Sequence, residues 1–173
     1  MAEVTREDML TELEFERTDE WTEQCTTVVR LDNPTHFVQI YYHEEAEDEF
    51  TIHSRAHGYT SSAQFRTSLE LFDDLKKYIS LIDQFNLTGP EVRLLRDLGF
   101  NLYLAENVTL RCKRRKEIWR KQNSAYELVF TFTEDGLSEY SLKHEGSEFD
   151  RVIAPPGLTV SLYPLERVFG GDQ

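Results

Sequence analysis

Histidines and carboxylates around positions 43 and 53 are the residues whose types could support metal-assisted chemistry. His43 is followed directly by Glu44 and Glu45, and His53 comes ten residues after His43. Imidazole nitrogens and carboxylate oxygens are common ligands of zinc and related metals. On neighbouring antiparallel strands, His43 and His53 would lie close together. A metal-assisted enzyme is therefore one hypothesis, although the spacing matches no specific metal motif.

Other catalytic signatures are missing from the chain. The eight glycines are scattered and form neither a dinucleotide-binding fingerprint nor a phosphate-binding loop, and there is no G-x-S-x-G nucleophile motif. We therefore predict no cofactor and favour a non-enzymatic protein.

The segment 111–121, with the sequence RCKRRKEIWRK, is a concentration of positive charge in an acidic chain. It contains seven of the 19 Lys and Arg residues and one acid, so it carries +6, whereas the rest of the chain carries −19. Such a window provides charged and aromatic groups for recognition. The candidate partner-binding residues are Arg111, Lys113, Arg114, Arg115, Lys116, Trp119, Arg120 and Lys121.

This basic window supports two kinds of recognition. Arg and Trp are the residue types that contribute most at protein interfaces, so an acidic patch on a protein partner is the leading hypothesis. Alternatively, Arg114, Arg115, Arg120 and Lys121 would contact nucleic-acid phosphates while Trp119 stacks on a base. A third interpretation is a basic edge that pairs with the chain's own carboxylates or prevents aggregation.

Acidic residues form a second surface, between two predicted strands. This acidic face comprises Glu44, Glu45, Glu47, Asp48 and Glu49. Carboxylates in this arrangement are typical of a solvated turn, and they also suit a mimic of nucleic-acid phosphates. Basic and acidic surfaces on one chain would also allow a homodimer.

The elements that position these residues follow from two periodicities. Period-two alternation, typical of strands, occurs before residue 57 and again after Gly99. The predicted strands are Thr11–Thr18, Cys25–Leu31, His36–His43, Phe50–Ala56, Asn101–Ala105, Val108–Trp119, a strand from Tyr126 to Phe132, Leu137–His144 and Leu158–Tyr163. We expect Cys112 to face the core, with Arg111 and Lys113 facing outward.

Helical spacing separates the two groups of strands. Thr67 and Glu70 have the spacing of a capping box ahead of an amphipathic helix over 68–85. A second, shorter helix is predicted after Thr88, with Pro90 in its first turn and Gly99 just past its end. The pattern predicts an α+β fold: an antiparallel β-sheet of two meanders, with a long amphipathic helix and a short helix inserted mid-chain and packed on the sheet.

Length and composition are those of a soluble globular protein. We expect a single α+β domain over 1–173, with flexible ends at 1–10 and 168–173. No segment resembles a membrane span or signal peptide, so we expect a cytoplasmic protein that does not bind membranes. The two cysteines, Cys25 and Cys112, are expected to be buried thiols. The excess of acids over Lys is also typical of proteins from salt-loving organisms.

Overall fold

The structure is a computed structural model that describes residues 6–54, 63–108 and 113–170. It has an α+β fold with two antiparallel sheets of five strands each. The chain forms two compact units. The described residues 6–54 and 64–83 belong to the first unit, and residue 63 together with the described residues from 84 onward belongs to the second.

The first unit is a helix followed by a five-stranded meander and a helical segment. Its sheet has the strand order β1-β2-β3-β4-β5, so each strand pairs with its neighbour in the chain. Its elements are α1 (Arg6–Glu12), β1 (Glu16–Glu23), β2 (Thr26–Asp32), β3 (His36–His43), β4 (Glu49–Ser54), β5 (Gln64–Ser68), a 3₁₀ helix (Leu69–Asp74) and α2 (Leu75–Asp83).

Alternation in the central strands creates the core of the first unit. Val38, Ile52 and Phe65 lie opposite one another across three strands, and all three are buried. The helical segment covers this face: the Phe72 ring meets Phe50 edge-on at 5.2 Å, and the Tyr78 ring meets Phe65 at 5.3 Å. Burial of each large side chain contributes about 1.5–3 kcal/mol, so this layer is a main source of the unit's stability.

The second unit repeats this order of elements. Its sheet has the strand order β10-β9-β8-β7-β6, again a meander. Its elements are α3 (Gly89–Asp97), β6 (Phe100–Ala105), β7 (Arg115–Lys121), β8 (Tyr126–Thr133), β9 (Gly136–His144), β10 (Ser147–Ile153) and α4 (Pro164–Phe169).

Helix α3, which was predicted after Thr88, begins at Gly89, and Thr88 forms a capping box that was not predicted there. The Thr88 hydroxyl accepts a hydrogen bond from the Glu91 amide at 3.3 Å, and the Glu91 carboxylate accepts one from the Thr88 amide at 2.9 Å. Gly99, just past the end of the helix, has a φ of +87°, which glycine adopts without strain. Val92 and Leu95 are the buried residues of this helix, which lies against β6.

Several sequence predictions of elements are wrong. The helix expected over 68–85 starts as a 3₁₀ helix, capped by Ser68 instead of Thr67. The alternating segment 11–18 contains the end of α1 and a Glu14 φ of +61°, so β1 begins only at Glu16. The segment 158–163 is not a strand; instead it leads into α4. Strands β5 and β10 were not predicted.

Cys25 is also placed differently from the prediction. It lies in the turn between β1 and β2 as an exposed free thiol, whereas a buried position was expected. Cys112 lies outside the described residues. Of the ends expected to be flexible, 6–10 and 168–169 lie in helices. No helix in the described ranges is both long enough and apolar enough to cross a membrane.

Candidate interaction surface

Strand β7 carries most of the basic window and divides it between two faces. Arg115, Glu117 and Trp119 are all 0% exposed and point into the second unit. Lys116, Ile118 and Arg120 alternate with them and point to the opposite face. Two of the five residues that the sequence assigned to partner binding on this strand, Arg115 and Trp119, are therefore in the core.

The inward face of β7 holds a buried polar network. Arg115 forms an ion pair with Glu117, and its guanidinium also donates to the backbone carbonyls of Glu106 at 2.8 Å and Phe85 at 3.0 Å. The Trp119 indole N–H donates to the other carboxylate oxygen of Glu117 at 2.9 Å. A buried charge is tolerated when its partners are this complete. The network ties the backbone at Glu106 and Phe85 to β7.

The expectation that Arg115 and Trp119 are surface residues is therefore wrong. The sequence pattern ran continuously from Val108, which put the odd-numbered residues outside. In the structure β7 begins only at Arg115, and Lys113 just before it has a φ of +47°, a conformation that interrupts a strand. Arg111 lies outside the described residues.

The outward face of β7 adjoins exposed apolar side chains of β6. Tyr103 and Leu104 are 57% and 53% exposed, and a β-bulge between Leu102 and Leu104 interrupts the register with β7. The guanidinium carbon of Arg120 lies 3.4 Å from the centroid of the Tyr103 ring, while its Nε donates to Glu127 at 3.0 Å. An aromatic ring, an aliphatic side chain and a cation are thus exposed side by side.

The remaining cations of the window differ in how far they are neutralised. Lys113 pairs with Glu134 at 2.8 Å, and the Lys121 ammonium donates to the Leu98 carbonyl at 2.9 Å. Arg114 and Lys116 are exposed and form no ion pair with any residue that the structure describes. We define the basic surface as the exposed residues of this region that are available for contact: Tyr103, Leu104, Arg114, Lys116 and Arg120.

The two candidate metal-binding histidines lie far apart along the first sheet. His53 is opposite Phe37 in the register of β3 and β4, six residues from His43, which corresponds to about 20 Å along a strand. The expectation that they lie close together is therefore wrong. Within the described ranges, no group of three or more His, Cys, Asp or Glu side chains is arranged to hold a metal ion.

Each of these histidines has contacts of its own. His43 is hydrogen-bonded to Thr26 at 2.9 Å and lies 3.3 Å from a Glu49 oxygen. His53 stacks on Phe37 with 4.2 Å between ring centroids. Burial, together with the positive charge of Arg30, lowers the pKa of His53 to about 4. His53 is thus a neutral packing residue near pH 7.

Several carboxylates of the predicted acidic face accept hydrogen bonds within the first unit. Asp48 accepts from the His43 amide at 2.9 Å, Glu49 accepts from Arg66 at 2.6 Å, and Glu47 accepts from the Ser68 hydroxyl. Glu44 and Glu45 are exposed. Three of the five carboxylates therefore stabilise the turn between β3 and β4 and its surroundings.

Sequence reasoning missed Tyr103 and Leu104. The signal was present: β6 reads FNLYLA, an uncharged strand with apolar residues at both parities. A strand with this pattern is either central and covered on both faces or an edge strand with an exposed apolar side.

Comparison with models of protein families, with curated proteins and with solved structures finds no match to this chain.

Proposed function

We propose that this chain is a non-enzymatic binding domain that recognises an acidic protein partner through the basic surface. The observation that supports it most directly is the placement of exposed Tyr103 beside Arg120, with exposed Leu104 next to it in β6, Lys116 on the same face of β7 as Arg120 and Arg114 just before that strand. Aromatic and Arg side chains are enriched where protein interfaces gain their energy.

Charge favours an acidic partner. The chain has a net charge of −13, so long-range attraction of an acidic protein has to come from a local concentration of cations. Arg114 and Lys116 supply this charge without a neutralising carboxylate in the described part of the chain. A partner's carboxylates would form ion pairs with these two residues, and the apolar side chains of the basic surface would be buried against the partner.

The same observations weigh against nucleic acid as the partner. Trp119, the residue expected to stack on a base, is fully buried. A phosphate backbone is repelled by an acidic protein unless a continuous row of cations compensates, and in this window Lys113 is paired with Glu134 while Arg115 is buried. Tyr103 is exposed beside the window, and Arg120 already stacks on its ring. We also propose a cytoplasmic location, since the described cysteine is a free thiol.

The test is capture of partners from the native host by the unmodified chain and by a variant with Arg114→Glu, Lys116→Glu and Arg120→Glu. We expect an acidic protein that binds the unmodified chain and is lost from the variant. Fluorescence anisotropy with single-stranded and duplex DNA at low salt provides the second arm. Salt-sensitive DNA binding that the same variant abolishes would overturn the proposal in favour of nucleic acid.

A further inference from the structure

Strand β6 is an edge strand with one free side. Among the residues that the structure describes, it is the last strand of its sheet and pairs with β7 alone. Across that pair, the Gln122 amide donates to the Gly99 carbonyl at 2.8 Å and the Glu106 amide donates to the Lys116 carbonyl at 2.9 Å. Backbone groups alternate in direction along an antiparallel strand, so those of Leu102 and Ala105 point away from β7. No backbone hydrogen bond reaches this side from any residue in the described ranges.

This edge lacks the charges that protect the other edges. Strand β1 carries five charged residues among eight, β10 carries three among seven and β5 carries one among five, whereas β6 carries none. Charged side chains keep an edge strand from pairing with another chain. An uncharged edge with exposed Tyr103 and Leu104 is therefore suited to accept an additional strand.

The cations on β7 favour an acidic segment as the strand added to β6. Neighbouring strands are separated by about 4.8 Å, so a strand added to β6 would lie roughly 10 Å from β7. Arg120 already extends from β7 over β6, because its guanidinium stacks on Tyr103. Lys116 has the same strand parity as Arg120 and is also exposed. Both cations therefore lie on the face where alternate side chains of an added strand would project.

We propose that the partner binds by strand addition: an extended acidic segment pairs with the free side of β6 and places alternate carboxylates against Arg120 and Lys116. This inference rests on the proposed function and specifies its partner class as an acidic peptide segment in β-conformation. Main-chain hydrogen bonds would supply affinity, and the alternating carboxylates would supply specificity.

The test uses a capped peptide of four Glu-Val repeats, with a Lys-Val peptide of equal length as the charge control. Amide hydrogen exchange of the full chain is followed by NMR with and without each peptide. We expect the Glu-Val peptide to slow exchange at the Leu102 and Ala105 amides by about tenfold or more. The Asn101 amide, which faces β7, should change little, and the Lys-Val peptide should have no effect.

Two variants test the role of the backbone. Ala105→Pro removes an amide from the free side and is compatible with an edge strand, whereas Ala105→Ser keeps the amide. We expect the proline variant to bind the Glu-Val peptide about tenfold more weakly and the serine variant to bind it normally. If the proline variant does not fold, hydrogen exchange of the unmodified chain is the deciding measurement.

Three other outcomes would each contradict the binding of an acidic segment by strand addition, and the measurements distinguish them. Peptide binding without protection of Leu102 and Ala105 would show that side chains alone make the contact, and the proposed function would stand. No binding of the Glu-Val peptide would reject this inference, while partner capture would still decide the proposed function. Protection of the same amides without peptide, together with self-association in sedimentation, would identify a second copy of the chain as the occupant.

Discussion

The guanidinium carbon of Arg120 lies 3.4 Å from the centroid of the Tyr103 ring, and both side chains are at the surface of the second unit. The Arg120 side chain also pairs with Glu127, and the carboxylate hydrogen bond is the largest cause of its raised pKa, ahead of the influence of Tyr103. An exposed ring held in place by a cation is pre-oriented for contact with a partner. The ring costs little to order on binding, because its position is already fixed.

Tyr103→Ala should therefore separate binding from stability. An exposed cation–π contact is worth about 0.5–1 kcal/mol, so the free energy of unfolding should fall by no more than about 1 kcal/mol. Partner binding should weaken by about tenfold or more, because an aromatic anchor is lost. Tyr103→Phe keeps the ring and should bind nearly normally. Urea unfolding and titration of the captured partner measure the two effects, and a loss of several kcal/mol in stability would show that the ring is structural.

The buried network on β7 predicts a different response. Arg115→Met should lower the free energy of unfolding by about 3–5 kcal/mol, because it leaves the Glu117 carboxylate buried without its counter-charge. Adding Glu117→Gln should recover at least about 1 kcal/mol, since the amide is neutral and its oxygen can still accept from Trp119. Urea denaturation of the single and double variants tests this. Equal stability of the two variants would show that the buried charge is not what destabilises Arg115→Met.

His53 predicts a loss of stability in acid. Its pKa is about 4 in the folded chain and about 6.5 when unfolded, because burial and Arg30 oppose its protonation. A lowered histidine pKa means that the unfolded state binds more protons below pH 6.5, so the folded state loses stability as the pH falls from about 6.5 to 4. The contribution is at most about 3 kcal/mol for this shift. His53→Gln should show a shallower decline over this range in urea unfolding; an identical decline would contradict the assignment.

The cap of α3 predicts a modest effect on stability. Thr88→Ala removes the hydroxyl that accepts from the Glu91 amide and should lower the free energy of unfolding by about 1 kcal/mol. Thr88→Ser keeps the hydroxyl and should be near neutral. Thermal unfolding monitored by circular dichroism distinguishes the two variants. A Thr88→Ser variant as unstable as Thr88→Ala would indicate that the threonine methyl group, and not the cap, is responsible.

Local signals explain which parts of the fold could be predicted from the sequence. Strand β3 matches its prediction at both ends, because its eight residues are β-prone and bounded by Asn33-Pro34 and an acidic turn. The helix after Thr88 was likewise predicted, because Pro90 in its first turn and Gly99 past its end are local signals. Local spacing was not sufficient everywhere: the capping box expected at Thr67 and Glu70 is replaced by a cap at Ser68.

Only part of the candidate surface could be predicted from the sequence. Contacts with residues distant in the sequence decide which side chains of β7 point into the core. Charge drew attention to β7, and Lys116 and Arg120 on that strand are exposed as expected. Arg115 is buried, and its guanidinium donates to the Phe85 carbonyl, 30 residues away. The side chains from Arg115 onward alternate with the parity opposite to the prediction, and the φ of +47° at Lys113 is a conformation that a continuous strand does not adopt. No alternation pattern contains that information.

The most direct test of the account compares two variants of equal charge. One carries Arg114→Glu, Lys116→Glu and Arg120→Glu; the matched control carries Lys77→Glu, Arg93→Glu and Arg167→Glu, which are exposed positions on α2, α3 and α4. Both change the net charge of −13 by the same amount, so overall repulsion of an acidic partner is equal. Partner affinity is measured for both by titration at one salt concentration, with melting temperatures as the folding control. We expect the first variant to lose binding and the control to retain it; equal losses in both variants would contradict a role for the basic surface.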